Sequence, residues 1–244
     1  MRNLRLDLCY DGTRYRGWQR LSGVDNTLQG KLEQTLSRIL GEPVEISGSG
    51  RTDAGAHALG QVANFHCEST MPAQEILLQL RRYLPEDIGI YSCIEVHPRF
   101  HARLNAKTKT YRYRLWNSDQ PCVFQRRFVA LEPQRLDMEA MKQAAKLLEG
   151  EHDFSAFCAA KSKKKSTVRQ VHRIDIQQCG EEIQFDFTGN GFLYNMVRIM
   201  VGTLVEVGMG LRTADSVTAL FGSSRAEAGR LMAAQGLCLM EVTY

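Results

Sequence analysis

Leu4-Arg5-Leu6-Asp7-Leu8-Cys9-Tyr10 places Leu4, Leu6, Leu8 and Tyr10 at a period of two, the pattern of a strand with one buried face. Downstream, Asp25 or Asn26 is positioned to cap a helix whose apolar residues fall at 28, 32, 36, 39 and 40, and Gly41 is a natural stop for it. Strand-like runs follow at 43–49 and 60–66, then a helix opened by Pro72 and closed before Pro85, then a strand through Ile88, Ile90 and Val96. The order is βαββαβ. A similar order recurs with a strand at 107–116, a helix from Asp137 to Glu149, strands near 168–178 and 181–187, a long helix at 191–208 and a last strand near 237–243. An extra helix pair intervenes, with Ser224 and Glu227 at capping-box spacing. The expectation is an α+β protein of two pseudo-repeated split-βαβ (ferredoxin-like) halves, residues 1–105 and 106–244. Its sheet is expected to be largely antiparallel, its helices to lie on one side, and its halves to frame a central cleft.

A chain of 244 residues with 43% hydrophobic content can fill a sizeable core. Its 31 Lys and Arg against 27 Asp and Glu leave a net charge of +4, which excludes a histone-like polycation; a disordered tail and a coiled coil are excluded by composition as well. The seven cysteines are odd in number and scattered, with no C-x-x-C pair. This predicts a reduced, cytoplasmic chain without a disulfide framework or a cysteine zinc site. Met1-Arg2-Asn3-Leu4-Arg5 leads straight into strand with no apolar signal segment, which argues against export. The most apolar stretch, Phe192 to Val207, is interrupted by Asn195, Arg198 and Glu206, so an amphipathic core helix is expected there rather than a membrane span.

The small net charge conceals a segregation. Val96 to Ser118 contains no acid, while Arg99, Arg103, Lys107, Lys109, Arg112 and Arg114 alternate with Tyr111, Tyr113 and Trp116. Arg2, Arg5, Arg14, Arg16 and Arg20 accompany Tyr10, Tyr15 and Trp18 near the start, and Lys161 to Lys165 precede Arg169, His172 and Arg173. Cations neutralise phosphates and interleaved aromatics stack on unpaired bases, so the mixture suits RNA. Simple strand alternation, Tyr inward and Arg outward, explains Tyr111, Tyr113 and Leu115 equally well, and a solvated loop explains the lysine run.

Gly48-Ser49-Gly50-Arg51-Thr52-Asp53-Ala54-Gly55-Ala56-His57 lies between two strand-like runs. Three glycines in eight residues imply special backbone geometry or close approach of a ligand. Arg51 and Asp53, two apart, point the same way in an extended backbone and are within reach of a charge-assisted pair that would hold Asp53 ionised as nucleophile or base. The same pair would equally serve as a staple for a tight turn. Asp53 and His57 invite a metal reading, but His66, His97, His101, His152 and His172 show no ligand spacing. Neither a phosphate-binding G-x-x-x-x-G-K-[ST] loop nor a dinucleotide fingerprint is present.

Residues 50–65, Gly-Arg-Thr-Asp-Ala-Gly-Ala-His-Ala-Leu-Gly-Gln-Val-Ala-Asn-Phe, closely resemble the active-site segment of the tRNA pseudouridine synthase A (TruA) family. The resemblance extends over nearly the full chain. It takes in Tyr10-Asp11-Gly12-Thr13 with Gly17-Trp18-Gln19, Lys109-Thr110-Tyr111-Arg112-Tyr113, and His152-Asp153-Phe154-Ser155-Ala156-Phe157. It continues through Thr167-Val168-Arg169, residues 191–198 and Val201-Gly202-Thr203-Leu204. The chain departs from the family at Arg230-Leu231-Met232-Ala233-Ala234, where a proline-containing segment is usual.

The resemblance implies a homodimeric isomerase, without metal or other cofactor, that converts uridine to pseudouridine at positions 38, 39 and 40 of the tRNA anticodon stem-loop. Asp53 is then the catalytic residue, attacking C1′ of the ribose or the uracil ring, or removing a sugar proton to give a glycal. Arg51 would orient Asp53, Tyr111 would stack on the flipped uracil, and Leu193 would contribute an apolar contact. Arg14, Arg16, Lys163, Lys164, Lys165 and Arg169 are the candidate RNA contacts, and the cleft is expected to bind the RNA.

Overall fold

The alternation at the start of the chain becomes strand β1 (Arg2–Tyr10), in which Leu4, Leu6 and Leu8 are fully buried. The structure, a computed structural model, describes residues 1–24, 26–159 and 166–244. These fall into two units, Met1–Lys107 with Leu239–Tyr244, and Thr108–Cys238.

In the first unit β1 is followed by α1 (Leu28–Leu40), β2 (Ile46–Gly48), β3 (His57–Cys67), α2 (Ala73–Tyr83) and β4 (Ile88–Val96). β1 pairs antiparallel with β3 on one side and β4 on the other, and β2 pairs antiparallel with β3. That is the expected βαββαβ order folded into the neighbour order β4-β1-β3-β2. Leu28, Leu32 and Leu36 of α1 and Ile76 and Leu80 of α2 are fully buried, as are the three leucines of β1. The apolar stripe of each helix and the apolar face of the strand thus supply one core. The cap of α1 is Thr27, whose hydroxyl accepts the Gly30 amide at 3.2 Å, rather than Asn26; Asp25, the other expected cap, lies outside the described residues. Asn26 instead adopts a left-handed φ of 66° and donates its side-chain amide to the Arg14 carbonyl at 2.6 Å.

The last strand, β10 (Leu237–Thr243), sends Leu239–Tyr244 into this unit beside β3, so the halves 1–105 and 106–244 read from the sequence are not the observed division. A terminal strand that returns to the first unit is invisible to a boundary drawn from local pattern alone. Tyr244 closes the return, its hydroxyl donating to the Ala102 carbonyl at 2.7 Å and its ring lying 4.9 Å below the Arg5 guanidinium.

The second unit contains β5 (Thr108–Trp116), β6 (Ala130–Leu131), α3 (Met138–Leu147), β7 (Gly150–Asp153), β8 (Val168–Cys179), β9 (Glu182–Gly189) and α4 (Met196–Gly208). β5, β9, β8 and β7 neighbour one another in that order and antiparallel, while the two-residue β6 pairs parallel with β5. Helix α4 begins at Met196, five residues later than expected, after a turn at Tyr194 and Asn195, the latter with φ 62°. It is buried almost all round, 11 of its 13 residues, so its polar interruptions do not mark a solvent face. The expected extra helix pair is a 3-10 segment, Ala214–Leu220, followed by a turn; Ser224 and Glu227 do bond, 3.1 Å between hydroxyl and carboxylate, but no α-helix follows, and the next helical turn is the 3-10 segment Ala234–Gly236. No helix among the described residues is long and apolar enough to cross a membrane.

The basic strand β5 is internally compensated. Arg112 makes a two-pronged pair with Asp186 (2.7 and 2.7 Å), and Arg114 another with Glu182 (2.8 and 2.6 Å), both across to β9. The Arg114 guanidinium holds the Glu182 carboxyl below the usual carboxylate range, against the opposing effect of burial. A depressed carboxylate stabilises the fold above its unfolded value of about 4.3, and that contribution is lost as pH falls through the depressed folded value. Glu182→Gln is therefore expected to lower the unfolding free energy at pH 7 by about 1.5–3 kcal/mol. In urea titrations the deficit relative to wild type should shrink on acidification below pH 4.

Candidate active-site loop

The chain between β2 and β3 is held at both shoulders and in its middle. The Ser49 amide donates to the Val62 carbonyl at 2.7 Å, and the Thr52 carbonyl receives the Trp18 amide at 3.1 Å. Beyond Asp53 the Gly55 amide donates to the Tyr15 carbonyl at 3.2 Å, and a turn closes with Ala56 N–H on the Asp53 carbonyl at 3.1 Å. Gly55 sits in that turn at φ 80°, a left-handed value that glycine adopts without strain.

Alternation decides which side chains face the solvent. Thr52 is buried, Arg51 is exposed and Asp53 is half-exposed, so the two charged residues do share the outward side as expected. Among the described residues no ion pair joins Arg51 to Asp53, and Arg51 is exposed. The backbone at Asp53 is fixed through the hydrogen bonds above and through the segment Gly12–Trp18 packed against it. Gly17, at φ 92°, lies so close that an added Cβ would sit 2.8 Å from the Thr52 carbonyl oxygen and 3.2 Å from the Asp53 carbonyl carbon.

Tyr15 and Trp18 anchor this supporting segment. The Tyr15 hydroxyl donates to Asp87 at 2.5 Å, and burial together with that carboxylate pushes its phenol well above the ordinary range. The Trp18 ring covers Gly48, where a Cβ would meet it at 2.5 Å. His57, the candidate metal ligand, is buried; its Nδ1 lies 3.0 Å from the Gly12 amide nitrogen and 3.2 Å from an Asp11 carboxylate oxygen. It ties the Gly12 segment to the start of β3.

Of the candidate RNA contacts in this unit, Arg14 and Arg16 are exposed and make no ion pair among the described residues. The other arginines of the opening segment are compensated, Arg2 by Glu95, Arg5 by Asp7 and Arg20 by Glu33. The free charge of residues 1–20 is thus concentrated on the segment that supports the Asp53 loop.

In the second unit Tyr111 is buried on β5 opposite Phe187 of β9, and the Phe192 ring meets it edge-on at 5.3 Å and 84°. Leu193 lies in the turn before α4 and is half-buried, so it is not helix core. Its carbonyl accepts the Met196 amide at 3.1 Å. Arg169 is half-buried and donates to the Ser166 and Val168 carbonyls at 3.0 and 2.6 Å. Lys163, Lys164 and Lys165 lie outside the described residues. Sequence reasoning passed over Tyr15, Trp18 and Gly17 as loop supports; the positive φ at Gly17 has no local signature beyond the glycine itself.

Comparison with known proteins gives a consistent result. A family profile described as tRNA pseudouridine synthase matches residues 9–105 and 144–244. The tRNA pseudouridine synthase A of Bacillus sp. (strain KSM-64) is 47% identical over 245 residues, covering the whole of both chains. The tRNA pseudouridine synthase A 2 of Bacillus cereus (strain ATCC 14579) is 46% identical, and the tRNA pseudouridine synthase A of Acetivibrio thermocellus 44%, again over the full length of both chains. Among solved structures, one chain of a Cbf5-Nop10-Gar1 complex aligns with 97% of this chain at 13% identity and a TM-score of 0.41; this chain spans about half (48%) of that one.

Proposed function

The chain belongs to the tRNA pseudouridine synthase family, and from that premise we propose that it isomerises uridine to pseudouridine at positions 38, 39 and 40 of the tRNA anticodon stem-loop, with Asp53 as its catalytic group. The observation that carries this reading is the Asp53 loop itself, a half-exposed acidic side chain on a backbone pinned on both sides, with exposed Arg14, Arg16 and Arg51 on the adjoining chain.

The reaction breaks the bond from ribose C1′ to N1 of uracil, turns the base, joins C1′ to C5 and releases the C5 proton. Reactant and product have the same atoms, so no oxidant, reductant or nucleotide is consumed. A carboxylate suffices in any of three roles: adding to C1′, adding to the ring, or taking a sugar proton to give a glycal. Fixed placement matters in all three, because the base must be intercepted during the short life of the broken bond. Extruding the uridine costs stacking energy, which guanidinium contacts to flanking phosphates and stacking on Tyr111 help to offset. Arg51 serves in that task rather than as a partner of Asp53, and Leu193 supplies an apolar contact to the base. The enzyme is cytoplasmic and acts as a homodimer with no cofactor.

The test uses tRNA transcript carrying tritium at uridine C5. Purified protein without additives is expected to release tritium to solvent, and absence of release at stoichiometric enzyme overturns the reading. tRNA affinity is expected to fall with salt, and Arg14→Gln with Arg16→Gln should lower the slope of log affinity against log salt by about two, one for each phosphate no longer neutralised. Filter binding at several salt concentrations measures that slope.

A further inference from the structure

A second set of residues acts on Asp53 without touching substrate. We propose that Gln61, Tyr10 and Thr52 form a buried relay of hydrogen bonds whose task is to position the Asp53 loop for catalysis. This rests on the reading of Asp53 as the catalytic group.

Gln61 lies on β3 with no exposed surface, in a position where strand alternation alone would have allowed any apolar side chain. Its carboxamide is used at both ends. Oε1 accepts the Ser49 hydroxyl at 2.6 Å and the Val62 amide at 3.2 Å, and Nε2 donates to the Gly50 carbonyl at 3.1 Å and the Tyr10 hydroxyl at 3.3 Å. With Gln61 donating to it, the Tyr10 hydroxyl has its own proton available for Thr52 Oγ1, 2.8 Å away. The relay therefore grips the loop at residues 49, 50 and 52, the last being the immediate neighbour of Asp53.

A purely structural purpose does not account for this arrangement. Burying a carboxamide, a phenol and an alcohol has a desolvation cost that well-packed apolar side chains would avoid. Directed hydrogen bonds add what apolar packing does not, a fixed distance and orientation. All three residues converge on the one loop, and a catalytic carboxylate must be held to within about 0.5 Å of its productive position. Arg51, the obvious candidate for that duty by sequence, is exposed instead.

The experiment compares Thr52→Val, which keeps the shape and removes the hydroxyl, Tyr10→Phe, which removes only the bridging oxygen, and Thr52→Ser, which retains a hydroxyl. Single-turnover tritium release and tRNA affinity are measured well below each variant's melting temperature. Thr52→Val and Tyr10→Phe are expected to lose about 10- to 100-fold in rate, the scale of a misplacement near 1 Å, with affinity within about twofold of wild type. Thr52→Ser should recover the rate to within about threefold. Wild-type rates in both Thr52→Val and Tyr10→Phe, a loss in affinity in place of rate, or failure of both to fold would overturn the relay. Asp53→Asn, measured in parallel, separates the two readings. If it is inactive while Thr52→Val turns over normally, only the relay falls; if it is active, the assignment of the site falls with it.

Discussion

Asp53→Asn is expected to fold and bind tRNA like the wild type and to form no measurable pseudouridine, a loss of roughly four orders of magnitude or more, the scale on which removal of a nucleophile or base acts. The substitution keeps the size of the side chain and removes its negative charge and basicity. The main-chain ties of residue 53, through the Ala56 amide and the close approach of Gly17, are indifferent to the change. Neither addition to C1′, addition to the ring nor removal of a sugar proton is open to a neutral carboxamide, so the prediction does not depend on the route. Tritium release, filter binding and thermal melting of the same preparation separate chemistry from binding and folding.

The second large effect falls on a residue with no side chain. Gly17→Ala forces a Cβ into a left-handed backbone, at a cost of about 1–2 kcal/mol, and presses that atom on the Thr52 and Asp53 carbonyls, where overpacking costs a further 1–3 kcal/mol or so. The strain has one outlet, displacement of the Asp53 loop, because the Trp18 amide beside Gly17 is itself bonded to Thr52. Single-turnover rate is expected to fall about 100-fold, and stability by roughly 2–5 kcal/mol. An alanine variant that melts and reacts like the wild type would show that the Gly12–Trp18 segment does not support the loop.

Much of the first unit is legible in the sequence because its elements are long and strongly periodic. Leu4, Leu6 and Leu8 announce β1, and the spacing from Leu28 to Leu36 announces α1. Its cap was not resolvable, since Asp25, Asn26 and Thr27 are all cap-forming residues in succession and only the tertiary course of the chain selects Thr27. Strands β6 and β7 are too short, two and four residues, to carry a period. The capping box at Ser224 and Glu227 forms its bond without an α-helix after it, although Ala228, Leu231 and Met232 stand at helical spacing. Charge was legible only as a sum along the chain: Arg112 and Arg114 stand in an acid-free segment, yet Asp186 and Glu182 reach them across β9.

The site was legible to the extent that glycine spacing marks a special loop and Asp53 is the acid within it. Its support was not. Gln61 sits in a run that reads as an ordinary strand, and nothing local distinguishes a buried glutamine serving a neighbouring loop from a polar residue facing water. The Arg51–Asp53 pair was a reasonable expectation from spacing, but Thr52 turns inward to meet Tyr10 and Arg51 is left exposed.

The most direct measurement is mass spectrometric mapping of pseudouridine, after carbodiimide labelling, in an unmodified tRNA transcript with uridine at positions 38, 39 and 40, incubated with wild-type protein or Asp53→Asn. Pseudouridine in the anticodon stem-loop with wild type, and none with the variant, is the predicted result. Unchanged uridine with the wild type, or undiminished pseudouridine with the variant, would contradict the account.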